Sequence, residues 1–234
     1  MRLGIVCILL SAATAAFSQE LPSYAAASAN PKTVVDYFLL CPAISVDKDG
    51  SLLITSDSRI SEKMFDAKKN FLTKGYSASN FNVGSVIVDV ADAYIQFTAY
   101  FWMEEIKLTF VFFDRKGKSD IPAYSLAHLA PNSAEYDQGF FVIDKSGAWK
   151  DITADILPQV GLYDFDPSLH GLELLWEYVL PRKGTTVLVT PRQTSDQVQA
   201  GGGSDYDTVD RLSKHPLELL WDRVNGRFTK GALE

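Results

Sequence analysis

Covalent cross-links are excluded from the outset. The chain has two cysteines, Cys7 and Cys41, and Cys7 lies in a segment that reads as a removable leader, so no intramolecular disulfide is expected in what remains. About 200 residues bury enough apolar surface to fold without one. Histidine is nearly as scarce. His128, His170 and His215 stand in no His-x-x-x-His, His-Glu-x-x-His or His-x-His spacing, so a locally encoded zinc site has no signature. No Gly-x-Ser-x-Gly elbow occurs, and Gly201-Gly202-Gly203 does not lead into a phosphate-binding sequence. Positive charge is in deficit, with 22 Lys and Arg against 29 Asp and Glu. No block of five or six basic residues offsets this, which argues against nucleic acid and anionic membrane surfaces as partners. No apolar run reaches the ~20 residues of a bilayer-spanning helix.

What is present begins with an address. Arg2 supplies one positive charge, residues 3–10 (LGIVCILL) are uninterruptedly apolar, and small residues follow up to Ala16-Phe17-Ser18. Small side chains on either side of Phe17 match the pattern a signal peptidase accepts, so residues 1–18 read as a signal peptide cleaved between Ser18 and Gln19. Cys7 sits inside the apolar run rather than just after it, which rules out a lipid anchor. Cleavage removes Arg2 and no acid, leaving a mature chain of about −8. The expectation is an exported protein, periplasmic or secreted, with no stable membrane insertion after cleavage.

Residues 19–30 are small and polar and read as a flexible tether. A helix is expected from an Asn30 cap and Pro31 at the first helical position, with Val34, Val35, Phe38 and Leu39 as its apolar stripe and Pro42 as its stop. A second is expected over 61–73, with Ile60, Met64, Ala67 and Phe71 inward and Gly75 closing it. Its other face takes Lys63, Lys68, Lys69 and Lys74 as solvated charges. From Gly84 the hydrophobic period changes to two. Residues 93–113 read as a hairpin turning at Met103-Glu104, with Ile95, Phe97, Ala99 and Phe101 on one face opposite Phe112, Phe110, Leu108 and Ile106. The other face pairs Tyr94, Gln96, Thr98 and Tyr100 with Phe113, Val111, Thr109 and Lys107. After a turn at 114–117, a strand near 121–127 is demoted by Pro122 to an edge or a bulge. A shorter hairpin joins 140–143 to Trp149 through a turn at 144–147.

The string LELLW occurs at 172–176 and again at 217–221. Its period fits helix and strand alike. The flanks, TTVLV after the first copy and the Asn225-Gly226 turn after the second, favour strand. Residues 191–210, with their three glycines, read as a flexible loop. The fold class is α+β: two N-terminal helices packed on a predominantly antiparallel β-meander built of hairpins, as one domain over 31–234.

Candidate chemistry is sparse. Cys41 is placed at a helix C-terminus, where the macrodipole disfavours a thiolate, and no basic residue flanks it in sequence. Ser125 and His128 are close in sequence without a hydrolase motif around them. Asp47-Lys48-Asp49-Gly50 resembles the start of a calcium loop, but Ser56 stands where the closing Glu belongs. The same Asp-x-x-Gly shape at Asp114 and Asp144 is turn chemistry. Asp205, Asp207 and Asp210 form a second, weaker oxygen cluster. Glu104 and Glu105 fall at a hairpin turn, exposed and pointing differently, which does not suit paired acid–base work. No catalytic residue, metal ligand or cofactor follows from these. The one surface with binding chemistry is the second face of the long hairpin: Tyr94, Gln96, Thr98, Tyr100, Trp102 and Lys107 mix aromatic rings with hydrogen-bonding groups. The expected function is a non-catalytic binding module for a protein or small ligand. Two alternatives are a hydrolase whose site is assembled from distant residues and a calcium-stabilised structural protein.

Four segments carry a resemblance: Pro31-Lys-Thr-Val-Val-Asp-Tyr-Phe-Leu-Leu40, Gly147-Ala-Trp-Lys-Asp-Ile-Thr153, Leu180-Pro-Arg-Lys-Gly-Thr-Thr186, and the closing Leu-Trp…Asn-Gly-Arg-Phe hairpin. In them the chain resembles a group of uncharacterised exported bacterial proteins. The resemblance implies a bacterial exported protein with a single α+β domain, and it brings no activity or site residues with it.

Overall fold

The computed structural model describes residues 20–46, 52–74, 82–101, 104–130, 133–168, 172–194 and 204–231. Residues 1–19, with the expected signal peptide and its cleavage site, Asp47–Gly50 and Trp102 lie outside them. The chain is α+β. Three N-terminal helices, α1 (Tyr24–Ala29), α2 (Val34–Leu40) and α3 (Glu62–Lys74), flank a small antiparallel pair, β1 (Ile44–Val46) and β2 (Leu52–Ile54). Six strands then form an antiparallel meander in chain order: β3 (Asn82–Asp89), β4 (Tyr94–Phe101), β5 (Glu104–Phe113), β6 (Ile121–Ala130), β7 (Ser133–Ile143) and β8 (Trp149–Asp151). A one-turn helix α4 (Thr153–Ile156) leads to a second sheet of β9 (Leu174–Val179), β10 (Val187–Gln193), β11 (Leu217–Asp222) and β12 (Arg227–Lys230), in the order β12-β11-β10-β9. Helix α5 (Ser204–Ser213) joins β10 to β11 and packs on β10, burying Val209 and Leu212.

The six-stranded sheet is a middle layer between two cores. Successive side chains on a strand point to opposite faces, and here both faces are apolar over much of their area. Ile95, Phe97, Leu108, Phe110, Tyr124 and Phe141 meet the helices, where Phe38 of α2 lies 5.2 Å from Phe97 and 5.7 Å from Phe110, ring centre to ring centre. Their chain neighbours Tyr94, Val111, Phe113, Ala123 and Phe140 face the second sheet, where Phe228 meets Phe113 edge-on at 5.2 Å. Both LELLW copies lie largely in strands, and in β11 the alternation is plain: Leu217 and Leu219 are buried, Glu218 and Leu220 exposed. The Asn225-Gly226 turn is present, with Gly226 at φ 69°.

Several expectations need correction. The tether at 19–30 contains α1, capped by Ser23 and held by Ala27 and Leu21 in the helix-side core. Helix α2 starts at Val34, because Thr33 and Asp36 form a reciprocal capping box that outcompetes the Asn30-Pro31 signal. The long hairpin keeps its two faces but pairs two residues out of the expected register, Phe101 with Glu104 and Phe97 with Leu108. A shift of two moves no side chain to the other face, so alternation alone cannot resist it. β6 is a central strand, not an edge. Pro122 pairs with Phe112, and the β7 ladder begins only at Ala123, so Pro122 lies just outside it. The loop at 191–210 is strand up to Gln193 and helix from Ser204.

The clearest correction is Lys68. It is fully buried, on the stripe Phe65, Lys68 and Leu72 that α3 turns into the core. Its Nζ donates to the Phe38 carbonyl at 3.0 Å and to the Cys41 carbonyl, and it lies 5.3 Å from the centre of the Phe38 ring. Helix α2 has no basic residue in its own last turn. Lys68 therefore supplies, from another helix, the positive group that a helix C-terminus favours. Lys69 works similarly on the segment before α1, donating to the Leu21 and Pro22 carbonyls at 3.1 Å.

Candidate functional site

The second face of the meander carries a polar band where the second sheet leaves it uncovered. Along β4, the Tyr94 hydroxyl donates to the Gln96 side-chain oxygen, and the Gln96 amide donates to Thr98 Oγ1 at 3.1 Å. Three of the six residues expected at the site are thus tied into one chain by i, i+2 spacing on a single face. Tyr94 is buried, with the Arg182 guanidinium 5.9 Å from its ring centre, while Arg182 pairs with Asp89 at 3.0 Å. Burial pushes the Tyr94 phenol above its usual range. Lys107 sits opposite Thr98 on β5. Tyr100, at the far end of β4, is 46% exposed and stands apart from the enclosed part. Trp102 lies outside the described residues.

Strand β9 lies against β6 and β7 and turns the band into a groove. Tyr94, Lys107, Thr109 and Ser125 on one wall face Glu177 and Tyr178 on the other across a slot of about 50 Å³. That is room for a few waters, at ~10–15 Å³ each. Next to it, Tyr136 of β7, Arg192 and Gln193 of β10, and Asp210 and Ser213 of α5 surround a more open cavity of about 230 Å³. The two meet at an ion pair: Glu177 from the slot accepts from Arg192 Nε of the cavity at 2.7 Å. The Tyr136 phenol is pushed up to about 12, first by burial and then by the Glu177 charge, so it stays a neutral donor.

Apart from Asp210, singled out only as part of an oxygen cluster, the sequence points to none of the residues contributed by β7, β9, β10 and α5. The alternation in β9 was visible, but nothing in it tells which sheet face it will cover.

The other candidates fall elsewhere. His128 is on the helix-side face of β6, with Nε2 3.1 Å from Glu104 and Nδ1 3.9 Å from Glu135. Ser125 points to the opposite face, so the two are not partners. Cys41 is wholly buried at the end of α2, where burial pushes its thiol up and the nearby Lys68 partly opposes this. The carboxylate of Asp144 closes its own turn, accepting from the Ser146 and Ala148 backbone N–H groups at 2.7 and 3.0 Å. Among the described residues, no group of three or more His, Cys, Asp or Glu is placed to hold a metal ion. No helix among them is long and apolar enough to cross a membrane.

No family model matches the sequence, and no curated protein matches it. A solved structure of a domain of an uncharacterized protein from Porphyromonas gingivalis W83 is similar at a TM-score of 0.44 and 12% identity, over 74% of this chain and 90% of that one.

Proposed function

We propose that the chain is an exported, non-catalytic binding module, periplasmic or secreted, that takes its ligand in the groove between the meander and β9. The observation that carries this reading is the gathering of hydrogen-bonding side chains from β4, β5, β6, β7, β9, β10 and α5 around one connected depression. Ligand sites are concave, and a few convergent polar groups set their orientation. The leader at residues 1–18 supports the export half, and the acidic balance of the mature chain supports a partner other than nucleic acid.

Two measurements test it. Cell fractionation finds the protein outside the cytoplasm and mass spectrometry gives it an N-terminus near Gln19; recovery from the cytoplasm alone overturns export, and an exported chain that keeps Met1 overturns cleavage. A thermal-shift screen of polar small molecules yields at least one ligand that raises the melting temperature of the wild type. The same ligand shifts Tyr136→Phe and Gln193→Leu less than the wild type. Hits indifferent to both substitutions, or no hit, overturn the groove as the site. A hit that is consumed with time replaces binding by catalysis.

A further inference from the structure

Resting on that reading of the groove, we infer that the cavity between β7, β10 and α5 is a subsite for one neutral, polyhydroxylated ring, a single pyranose unit of a saccharide.

The first argument is charge. Both ionised groups in the wall are already paired within the protein: Arg192 with Glu177, and Asp210 with Lys214 at 2.7 Å. An anionic ligand would compete with Glu177 for Arg192 and leave the mostly buried Glu177 carboxylate without its partner. A neutral ligand leaves both pairs in place.

The second argument is the direction of hydrogen bonding. Arg192 and the Tyr136 hydroxyl offer donors, the Asp210 carboxylate accepts, and the Gln193 amide and Ser213 hydroxyl do both. The Ser213 hydroxyl is committed as donor to the Asp210 carbonyl at 2.8 Å, so its free capacity is as an acceptor. A ring of hydroxyls, each both donor and acceptor, satisfies such a mixed lining. A purely accepting anion or a purely donating cation does not.

Shape is the third argument. Ala134 and Val209 give the cavity an apolar side, and the half-buried Tyr136 ring adds an aromatic surface, which suits the C–H face of a sugar ring. About 230 Å³ falls below the ~300–1,000 Å³ of pockets for drug-sized ligands. The space suits one ring. The slot beyond the ion pair is too small for a second, so any further sugar units extend outward to solvent.

Protein-observed NMR on the purified full chain tests this, following the backbone amides of Val209 and Ser213. The neutral probes are methyl β-D-glucopyranoside and N-acetylglucosamine, with cellotetraose to separate a free monosaccharide from the end of a glycan. The charged probes are inorganic phosphate and the dipeptide Gly-Glu. At least one neutral probe shifts both amides saturably, with an affinity that high salt leaves unchanged, as screening does not touch an uncharged ligand. Tyr136→Phe, which keeps the ring and removes the hydroxyl, weakens that binding roughly fivefold, the worth of one hydrogen bond. Gln193→Leu, on an unchanged melting temperature, weakens it further. Shifts produced by Gly-Glu or phosphate and not by any sugar overturn the ligand class while leaving the groove as the binding site. Silence at both amides from every probe overturns the subsite, while the groove reading is overturned separately by a thermal-shift screen without a hit.

Discussion

Lys68 offers the sharpest test of the physical reading, because burial dominates its titration and the coupled group, Cys41, can be removed without touching the carbonyl it supplies. Its ammonium is fully buried, and desolvation pulls its pKa from 10.5 down to about 8. The unfolded chain therefore holds this proton over a pH range in which the folded chain has released it. Stability must rise with pH wherever the unfolded state binds more protons, which here means between about 8 and 10.5. At ~1.4 kcal/mol for each tenfold change in proton affinity, the full gain is about 3 kcal/mol, and about 2 kcal/mol of it is in hand by pH 9.5. The neutral amine still carries two N–H donors for the Phe38 and Cys41 carbonyls. Deprotonation thus removes the burial cost and keeps the cap. Urea denaturation of wild type and Lys68→Met at several pH values between 7 and 10, both carrying Cys41→Ala to remove the thiol that Lys68 couples to, follows the term, because the tyrosines titrate in both proteins and cancel. The wild type gains on the variant by about 2 kcal/mol from pH 7 to pH 9.5. A difference that stays flat refutes the reasoning, since it means that the carbonyls hold the amine charged throughout.

Further outcomes follow from other parts of the structure. A Cβ at Gly139 would lie 2.6 Å from the rings of Tyr124 and Phe141 inside the sheet, so Gly139→Ala lowers unfolding stability by ~1–3 kcal/mol, measured by chemical denaturation. Thr33→Ala opens the capping box of α2 and costs ~1 kcal/mol by the same assay. The phenols of Tyr37 and Tyr136 are pushed up to about 12, in both by burial first, then by Asp120 and Glu177 respectively. The unfolded tyrosines ionise first, so stability is intact below pH 10 and is lost as pH climbs from there towards 12. Phenolate absorbance of the folded protein should lag behind that of the urea-unfolded chain, and coincident curves would count against the burial.

The strands were legible in the sequence wherever one period ran long enough to be counted. From 93 to 113 the alternation assigned each described residue to its correct face, and it missed the register because faces repeat every two residues. The helices were legible as helices but not in their inner stripe. Met64 and Ala67 looked like core positions on α3, yet Phe65 and Lys68 are the buried ones. A lysine on the stripe is invisible to any reading that sorts residues by polarity, since what admits it is a carbonyl pair donated by another helix. The candidate site divided in the same way. Tyr94, Gln96, Thr98 and Lys107 share one strand pair, so the sequence could place them together. Tyr136, Glu177, Arg192 and Asp210 join them only through the packing of β9 and α5, for which no local pattern exists.

The two-sided burial of the middle sheet also bears on what happens before the sheet forms. A strand packed between two cores is apolar on both faces over most of its length, and residues 108–113 read LTFVFF, six positions with no charge, no proline and no glycine. That is the composition of a segment able to stack on copies of itself in cross-β fashion. In the folded chain β4 and β6 occupy both of its edges. In an unfolded chain nothing does, and the only local protection is charge: Glu104, Glu105 and Lys107 before it, Asp114, Arg115 and Lys116 after it. Neutralising those flanks would remove the Glu104–His128 and Asp114–Arg223 pairs from the folded surface and make the newly made chain far more prone to aggregate.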